Sequence, residues 1–96
     1  MIPSIGRIVS YTLGEGNINE VNRRRATNLV AVHVGNPVAV GQVFPMIITR
    51  VWDTKPTEES VVQGQVFLDG NDTLWVASVK QGDNEYEWHE TPDASS

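Results

Sequence analysis

The stretch VVQGQVFLDGNDTLWVASV, residues 61–79, decides the fold predicted for this chain. Two runs rich in Val, Phe, Leu and Trp, residues 61–68 and 73–79, flank the tetrapeptide Asp69-Gly70-Asn71-Asp72. β-Branched and aromatic runs of this length are typical of strands. A short loop of Asp, Gly and Asn is a common connection between antiparallel strands. The stretch therefore predicts a β-hairpin.

Further segments with strand composition surround this hairpin, at residues 5–13, 28–34, 43–52 and 85–89. Pro45 cannot donate to a ladder, so we expect its end of the third segment to lie at an edge or a bulge. Five or six short strands separated by turns predict a mainly β fold, either a small antiparallel barrel or a sandwich. The sequence leaves the choice between the two open.

One short helix is predicted between the first two strands, at residues 17–26. Gly14-Glu15-Gly16 ends the first strand, and Asn17 then has the residue type of a helix N-cap. Glu20 stands three residues later, which is the spacing of a capping box. A helix this short is marginal alone, so we expect it to rest on the sheet.

The chain has 96 residues, which predicts one domain. We place a β-rich domain at residues 1–90 and a flexible acidic tail at 91–96. Cysteine does not occur, which excludes disulfides, thiolate catalysis and cysteine-based zinc sites. Neither a signal peptide nor an apolar run of membrane-spanning length is recognisable, so we expect a cytoplasmic protein without a membrane partner.

The net charge of −5 is unevenly distributed. Residues 1–52 contain five arginines and two glutamates, a net charge of +3, whereas residues 53–96 contain two lysines and ten acids, a net charge of −8. Net acidity argues against binding of long nucleic acids, which depends on many contacts between Lys or Arg side chains and phosphates. It still permits a local basic site for one small anion.

The candidate ligand-binding residues are arginines and aromatics. Arg23-Arg24-Arg25 could clamp phosphate, although consecutive helical residues point about 100° apart and cannot all face one spot. Arg7 is a further candidate for phosphate. Tyr11, Trp52 and Trp75 are candidates for stacking on a base. A solvated helix face, a packed core or an oligomer interface would also explain these residues.

Two other side chains, His33 and Asn36, are candidates for hydrogen bonds to a sugar or a base edge. His33 and His89 are too far apart in sequence for a recognisable metal site, so we predict neither a metal nor a cofactor. No triad order, phosphate loop or HExxH motif occurs. We therefore expect a binding protein rather than an enzyme.

Two blocks of this sequence resemble a group of short proteins from tailed bacteriophages and prophages. They are the opening G-R-I-V-x-Y-T-L, residues 6–13, and the block F-L-D-G-N-D-T-x-W, residues 67–75. The chain departs from that group between Arg25 and His33 and in the acidic segment 85–90. A phage origin implies a virion part, a binder of a host protein or an inhibitor of bacterial defence.

These observations lead to three hypotheses. The first is a homo-oligomer in the host bacterial cytoplasm that sequesters a nucleotide-type immune signal, of the cyclic oligonucleotide or cyclic ADP-ribose class. The second is a protein-interaction module, either a minor virion component or a decoy of a host defence protein. The third is a hydrolase of a nucleotide signal that uses His33 or Asp72. The sequence does not identify the ligand or the oligomer number.

Overall fold

The structure is a computed structural model that describes residues 1–27 and 35–91. In these ranges the chain forms five strands and one helix: β1 (Ile8–Thr12), α1 (Glu15–Thr27), β2 (Val43–Val51), β3 (Val62–Phe67), β4 (Thr73–Gln81) and β5 (Glu87–His89). The strands close into a barrel in the order β1-β2-β3-β4-β5. The mainly β prediction is confirmed, and the architecture is a barrel. The predicted strand at 28–34 and most of the predicted tail lie outside the described residues.

The barrel is a meander of four strands closed by the short strand β5. The pairings β1–β2, β2–β3 and β3–β4 are antiparallel, as is β5 with β1, where Trp88 stands opposite Tyr11. The expectation of antiparallel pairing is wrong at one seam, because β5 runs parallel to β4, where Gln81 stands opposite Trp88. A closed ring with an odd number of strands cannot alternate direction throughout, so one pairing must be parallel.

Two bulges bend the strands of the meander. The β2–β3 register shifts between Ile48 and Arg50, and the β3–β4 register shifts between Val62 and Gly64. In β4 the extra residue lies near Ser78, whose φ of 57° is in the left-handed region. Bulges increase twist and bend the strand that carries them, which helps such a small sheet to close.

The core lies inside the barrel and beneath α1. Val9 and Tyr11 from β1, Met46 and Ile48 from β2, and Trp88 from β5 are each at most 2% exposed. On β2 and β5 these residues alternate with more exposed ones, as expected for a sheet with one buried face, whereas on β1 Ser10 and Thr12 are buried too. The remaining buried apolar residues are Leu13, Val21, Val62, Val66, Leu68, Leu74, Val76 and Val79.

The helix begins at Glu15, two residues before the predicted range, and Gly14 rather than Asn17 takes the N-cap position. Asn17 is buried inside the first turn, and its Oδ1 accepts a hydrogen bond of 2.9 Å from the backbone N–H of Gly14. A side chain that reaches back from the third helical position to the N-cap amide is half of a capping box. The residue that satisfies the helix start was therefore identified correctly but assigned to the wrong position.

Gly64 allows β2 and β3 to lie close together where their register shifts. A Cβ on Gly64 would lie 2.6 Å from the Ile47 carbonyl oxygen and 2.6 Å from Met46 Cγ. Since the first of these neighbours is backbone, the strands would have to separate to make room.

We therefore predict that Gly64→Ala destabilises the fold by about 1–3 kcal/mol, the usual cost of overpacking a core. Urea unfolding followed by circular dichroism measures this. Gly82→Ala is the matched control, because an added Cβ there meets the carboxylate of Glu87, the far end of a flexible side chain. Equal stability losses in the two variants would contradict the role assigned to Gly64.

Candidate functional site

The hairpin loop, residues 69–72, gathers charged and polar side chains from three parts of the chain. Arg24 Nη2 donates to Asp72 Oδ1 at 3.2 Å and to the Thr73 carbonyl oxygen at 2.9 Å. Arg25 Nε donates to Asp72 Oδ2 at 3.3 Å, and Arg25 Nη1 donates to the Asn36 carbonyl oxygen at 2.9 Å. One carboxylate thus ties the end of α1 to the hairpin.

The segment that begins at Gly35 is held to the other side of the same loop. Asn36 Nδ2 donates to Asp69 Oδ2 at 2.7 Å, and the Asn36 backbone N–H donates to the Asp69 carbonyl oxygen at 2.9 Å. Gly35 forms an isolated antiparallel bridge with Gly70. A Cβ on Gly35 would collide with the Asp69 carbonyl oxygen, so the approach of these two segments requires glycine.

Arg25 and Arg24 differ in how far they reach solvent. The Arg25 side chain is 15% exposed and donates to Asp72 and to the Asn36 carbonyl oxygen, so it stabilises the loop. The Arg24 side chain is 42% exposed, and it lies along the start of β4. Arg23 is also exposed on α1. The structure therefore brings two of the three predicted arginines together and leaves Arg24 as the more accessible of these two.

The predicted aromatic residues are separated from one another. Trp75 is 54% exposed and lies two residues after Thr73 on the same outward face of β4. Trp52 is 51% exposed but directly follows the last residue of β2, away from the hairpin loop. The Arg50 guanidinium carbon lies 4.7 Å from its ring centroid. Only Trp75 of this pair belongs to the neighbourhood of the hairpin loop.

The prediction that Tyr11 stacks on a ligand is wrong, because its ring is 2% exposed in the barrel core. Its hydroxyl donates to Asn17 Oδ1 at 3.1 Å, which links β1 to the first turn of α1. Burial raises the pKa of Tyr11 to about 12, because the phenolate would lose its hydration there. Tyr11 is a structural residue.

The other two candidates do not join the cluster. Arg7 lies at the start of β1, at the end of the barrel away from the hairpin loop, and its Nη2 is 3.5 Å from Glu90 Oε1. His33 lies outside the described residues. The site that the structure supports therefore contains Arg24, Arg25, Asn36 and Trp75 around the two aspartates of the loop.

Sequence reasoning missed a row of side chains on the outside of the barrel, which we call the outer row. Its members stand directly opposite one another on successive strands: Ile8 on β1, Ile47 on β2, Gln65 on β3 and Trp75 on β4. Ile8 is 58% exposed, and Phe67, two residues along β3 from Gln65, is 45% exposed. Strand register creates this row, so no local motif could have indicated it.

An open depression of about 400 Å³ lies elsewhere on the surface, lined by Glu58, Glu59, Lys80 and Gln81. Two carboxylates and one ammonium group give it mixed charge. Across residues 1–27 and 35–91, no three His, Asp or Glu side chains are grouped as a metal site would require. The helix in that part of the chain is too short and too polar to cross a bilayer.

Comparisons of this chain with protein-family models, curated proteins and solved structures give no match. The candidate site therefore rests on the geometry of the chain itself.

Tyr11 gives a prediction about pH. The folded pKa of about 12 lies above the ordinary value of 10.0, so the unfolded chain ionises first as pH rises. The contribution of Tyr11 to the free energy of unfolding is fully present below pH 10 and is lost between about pH 10 and 12. We expect Tyr11→Phe to reduce this alkaline loss and to cost about 1 kcal/mol at neutral pH, for the lost hydrogen bond. Unfolding measured across this pH range tests it, and an unchanged alkaline slope would contradict the assignment.

Asp72 gives a prediction about stability. Asp72→Asn should destabilise the protein by about 1–3 kcal/mol, because the partly buried Arg25 and the more exposed Arg24 both lose their charged acceptor. Glu90→Gln is the control, since the Arg7–Glu90 pair is half exposed and such pairs contribute about 1 kcal/mol or less. Thermal unfolding compares the two variants. A larger loss of stability in Glu90→Gln than in Asp72→Asn would contradict the anchoring role of Asp72.

Proposed function

We propose that this protein is a non-enzymatic bacteriophage protein that binds and sequesters a nucleotide-type immune signal, of the cyclic oligonucleotide or cyclic ADP-ribose class, in the host bacterial cytoplasm. The observation that carries the proposal is the accessible guanidinium of Arg24 beside the half-exposed ring of Trp75. The site is the edge of the barrel at the hairpin loop.

The spacing of the two groups suits a nucleotide. Arg24 Nη2 contacts the Thr73 carbonyl oxygen, and Trp75 is on the same face of β4 two residues away, about 6.6 Å along the strand. A base stacked on Trp75 would place its phosphate within reach of Arg24. Stacking on an exposed aromatic ring contributes about 1–3 kcal/mol per base.

The arginines at the loop could exchange a carboxylate partner for an anion. Arg24 and Arg25 share the single carboxylate of Asp72, so two guanidinium groups converge on one acidic side chain. A phosphate would compete with Asp72 for Arg24, whereas Arg25 would remain with Asp72 and hold the loop in place. The Asn36 side chain is held at the same loop by its hydrogen bond to Asp69.

The outer row favours a second candidate function, a protein-interaction module such as a minor virion component or a decoy of a host defence protein. Exposed Ile and aromatic side chains on neighbouring strands are the residue types that dominate protein interfaces. A binding partner would then cover the part of the outer row where Trp75 and the nearby Phe67 lie exposed on neighbouring strands.

We expect native mass spectrometry to show an intact ligand bound at integral stoichiometry when the protein is mixed with cyclic dinucleotides, cyclic trinucleotides and cyclic ADP-ribose. Arg24→Gln and Trp75→Ala should each weaken that binding roughly tenfold or more, since each removes a contact worth about 1.5–3 kcal/mol. Lys80→Gln and Trp52→Ala are matched controls, because they remove the same kinds of group elsewhere.

The alternatives give different results in the same experiment. A ligand that is recovered cleaved would identify the protein as a hydrolase. An equal loss of ligand affinity in the control variants would show that the ligand does not bind at the hairpin loop. Failure to bind any member of the panel would contradict the proposal and favour the protein-interaction module.

A further inference from the structure

We infer that the ligand of the proposed site carries two bases joined through phosphate, and that Phe67 stacks on the second base. The inference deepens the proposed function and rests on it. Within the ligand classes named there, it assigns a cyclic dinucleotide rather than cyclic ADP-ribose, which carries one base. Its basis is that Phe67 and Trp75, which we call the aromatic pair, are both exposed on the neighbouring strands β3 and β4.

The strand register sets the aromatic pair at two corners of a small rectangle. Phe67 stands opposite Thr73, and Gln65 stands opposite Trp75. Residues two apart in one strand lie on the same face, about 6.6 Å from each other. Diagonal neighbours on two antiparallel strands lie about 7–8 Å apart, within reach of aromatic side chains. Phe67 and Trp75 are diagonal neighbours of this kind, so one small ligand with two bases can contact both rings.

The four corners of this rectangle point away from the barrel core. Val66, which lies between two corners on β3, is fully buried, and Leu74, which lies between two corners on β4, is 1% exposed. Phe67 and Trp75 are by contrast 45% and 54% exposed. Adjacent exposed hydrophobic residues mark a contact site, whereas single scattered ones do not. Both rings are therefore accessible to a ligand that lies across the hairpin.

The Arg24 guanidinium lies at the corner between the two rings. Its Nη2 donates to the Thr73 carbonyl oxygen at 2.9 Å. Thr73 is opposite Phe67 on the neighbouring strand and two residues from Trp75 on its own strand. A phosphate held by Arg24 would thus lie between the two stacked bases, where the linking phosphate of a dinucleotide belongs. A ligand with one base would leave one of the two rings without a stacking partner.

Gln65 occupies the remaining corner, and we assign it a role in recognising a base edge. It stands directly opposite Trp75 and two residues from Phe67, so it adjoins both rings. Its side-chain amide offers donors and an acceptor, the groups that pair with the polar edge of a base. Stacking tolerates every base, because each has an aromatic face. Discrimination between bases therefore falls to a polar side chain such as Gln65.

Isothermal titration calorimetry of the full chain with cyclic diadenylate and with cyclic ADP-ribose tests the inference. Both ligands contain adenine and two phosphates, but cyclic diadenylate has two adenines and cyclic ADP-ribose has one. The comparison therefore isolates the second base. We expect cyclic diadenylate to bind about tenfold more tightly or better, because one further base is stacked.

Variants of the aromatic pair assign the second base to Phe67. Phe67→Ala should weaken the binding of cyclic diadenylate about tenfold and leave that of cyclic ADP-ribose unchanged, whereas Trp75→Ala should weaken both. Phe67→Trp keeps a stacking ring and should retain the binding of cyclic diadenylate. Trp52→Ala is the matched control, because it removes an exposed aromatic ring away from the hairpin loop and should change neither affinity. Circular dichroism checks that each variant is folded.

Gln65→Ala tests the role in base recognition. It should weaken the binding of cyclic diadenylate about threefold or more, for the loss of a hydrogen bond. Gln63→Ala is the matched control, because Gln63 lies on the same strand two residues farther from the hairpin loop. A loss of affinity in Gln63→Ala as large as that in Gln65→Ala would overturn the role assigned to Gln65.

The outcomes separate this inference from the proposed function. Equal binding of the two ligands, with neither affinity changed by Phe67→Ala, would overturn the inference and leave the proposed function standing. Failure of the unmodified protein to bind either ligand would contradict the proposed function and the inference together. Linear diadenylate distinguishes the source of the two bases. Its tighter binding would support a two-base ligand and assign a nucleic-acid strand, rather than a cyclic signal, as that source.

Discussion

The structure depends on the closure of a ring with an odd number of strands. Four strands follow one another as an antiparallel meander, and β5 must then join β1 and β4, which run in opposite directions. Trp88 of β5 stands opposite Tyr11 on one side and Gln81 on the other, and it is fully buried. A three-residue strand can close the barrel because its central residue pairs with both neighbouring strands and places a large, fully buried side chain in the interior.

The hairpin loop, residues 69–72, is organised by side chains. There the Asp72 carboxylate joins Arg24 and Arg25 of α1 to the hairpin, and the Asp69 carboxylate accepts a hydrogen bond from the Asn36 side chain. Because these contacts are charged or carry charged acceptors, they are stronger than neutral hydrogen bonds. The same groups that fix the loop also form the basic site proposed for a phosphate, so structure and function share the arginine cluster.

Much of the fold could be predicted from local sequence patterns. The hairpin at 61–79 and the helix after Gly16 depend on neighbouring residues, and both are present with small shifts of their bounds. The parallel seam could not be predicted locally, because it follows from the number of strands in the ring. The paired role of Asn17, as an acceptor for both Gly14 and Tyr11, likewise depends on contacts across elements.

The candidate site was predictable in its residue types but less so in its geometry. Arg24, Arg25 and Asn36 come together because Asp69 and Asp72, which the sequence places in a turn, also accept their hydrogen bonds. Tyr11 was misassigned because an aromatic residue in a strand is compatible with either face until the register is known. The outer row became visible only when the register set Ile8, Ile47, Gln65 and Trp75 in line.

The central claim is that a nucleotide-type ligand binds at the hairpin loop, with its base on Trp75. The most direct test is a nuclear magnetic resonance titration of the protein with cyclic dinucleotides and cyclic ADP-ribose that follows the indole N–H signals of Trp52, Trp75 and Trp88. The account predicts that the Trp75 indole and the Arg24 guanidinium signals shift together, while the signals of buried Trp88 and distant Trp52 stay in place. Shifts confined to Trp52, or no shift with any ligand of the panel, would contradict it.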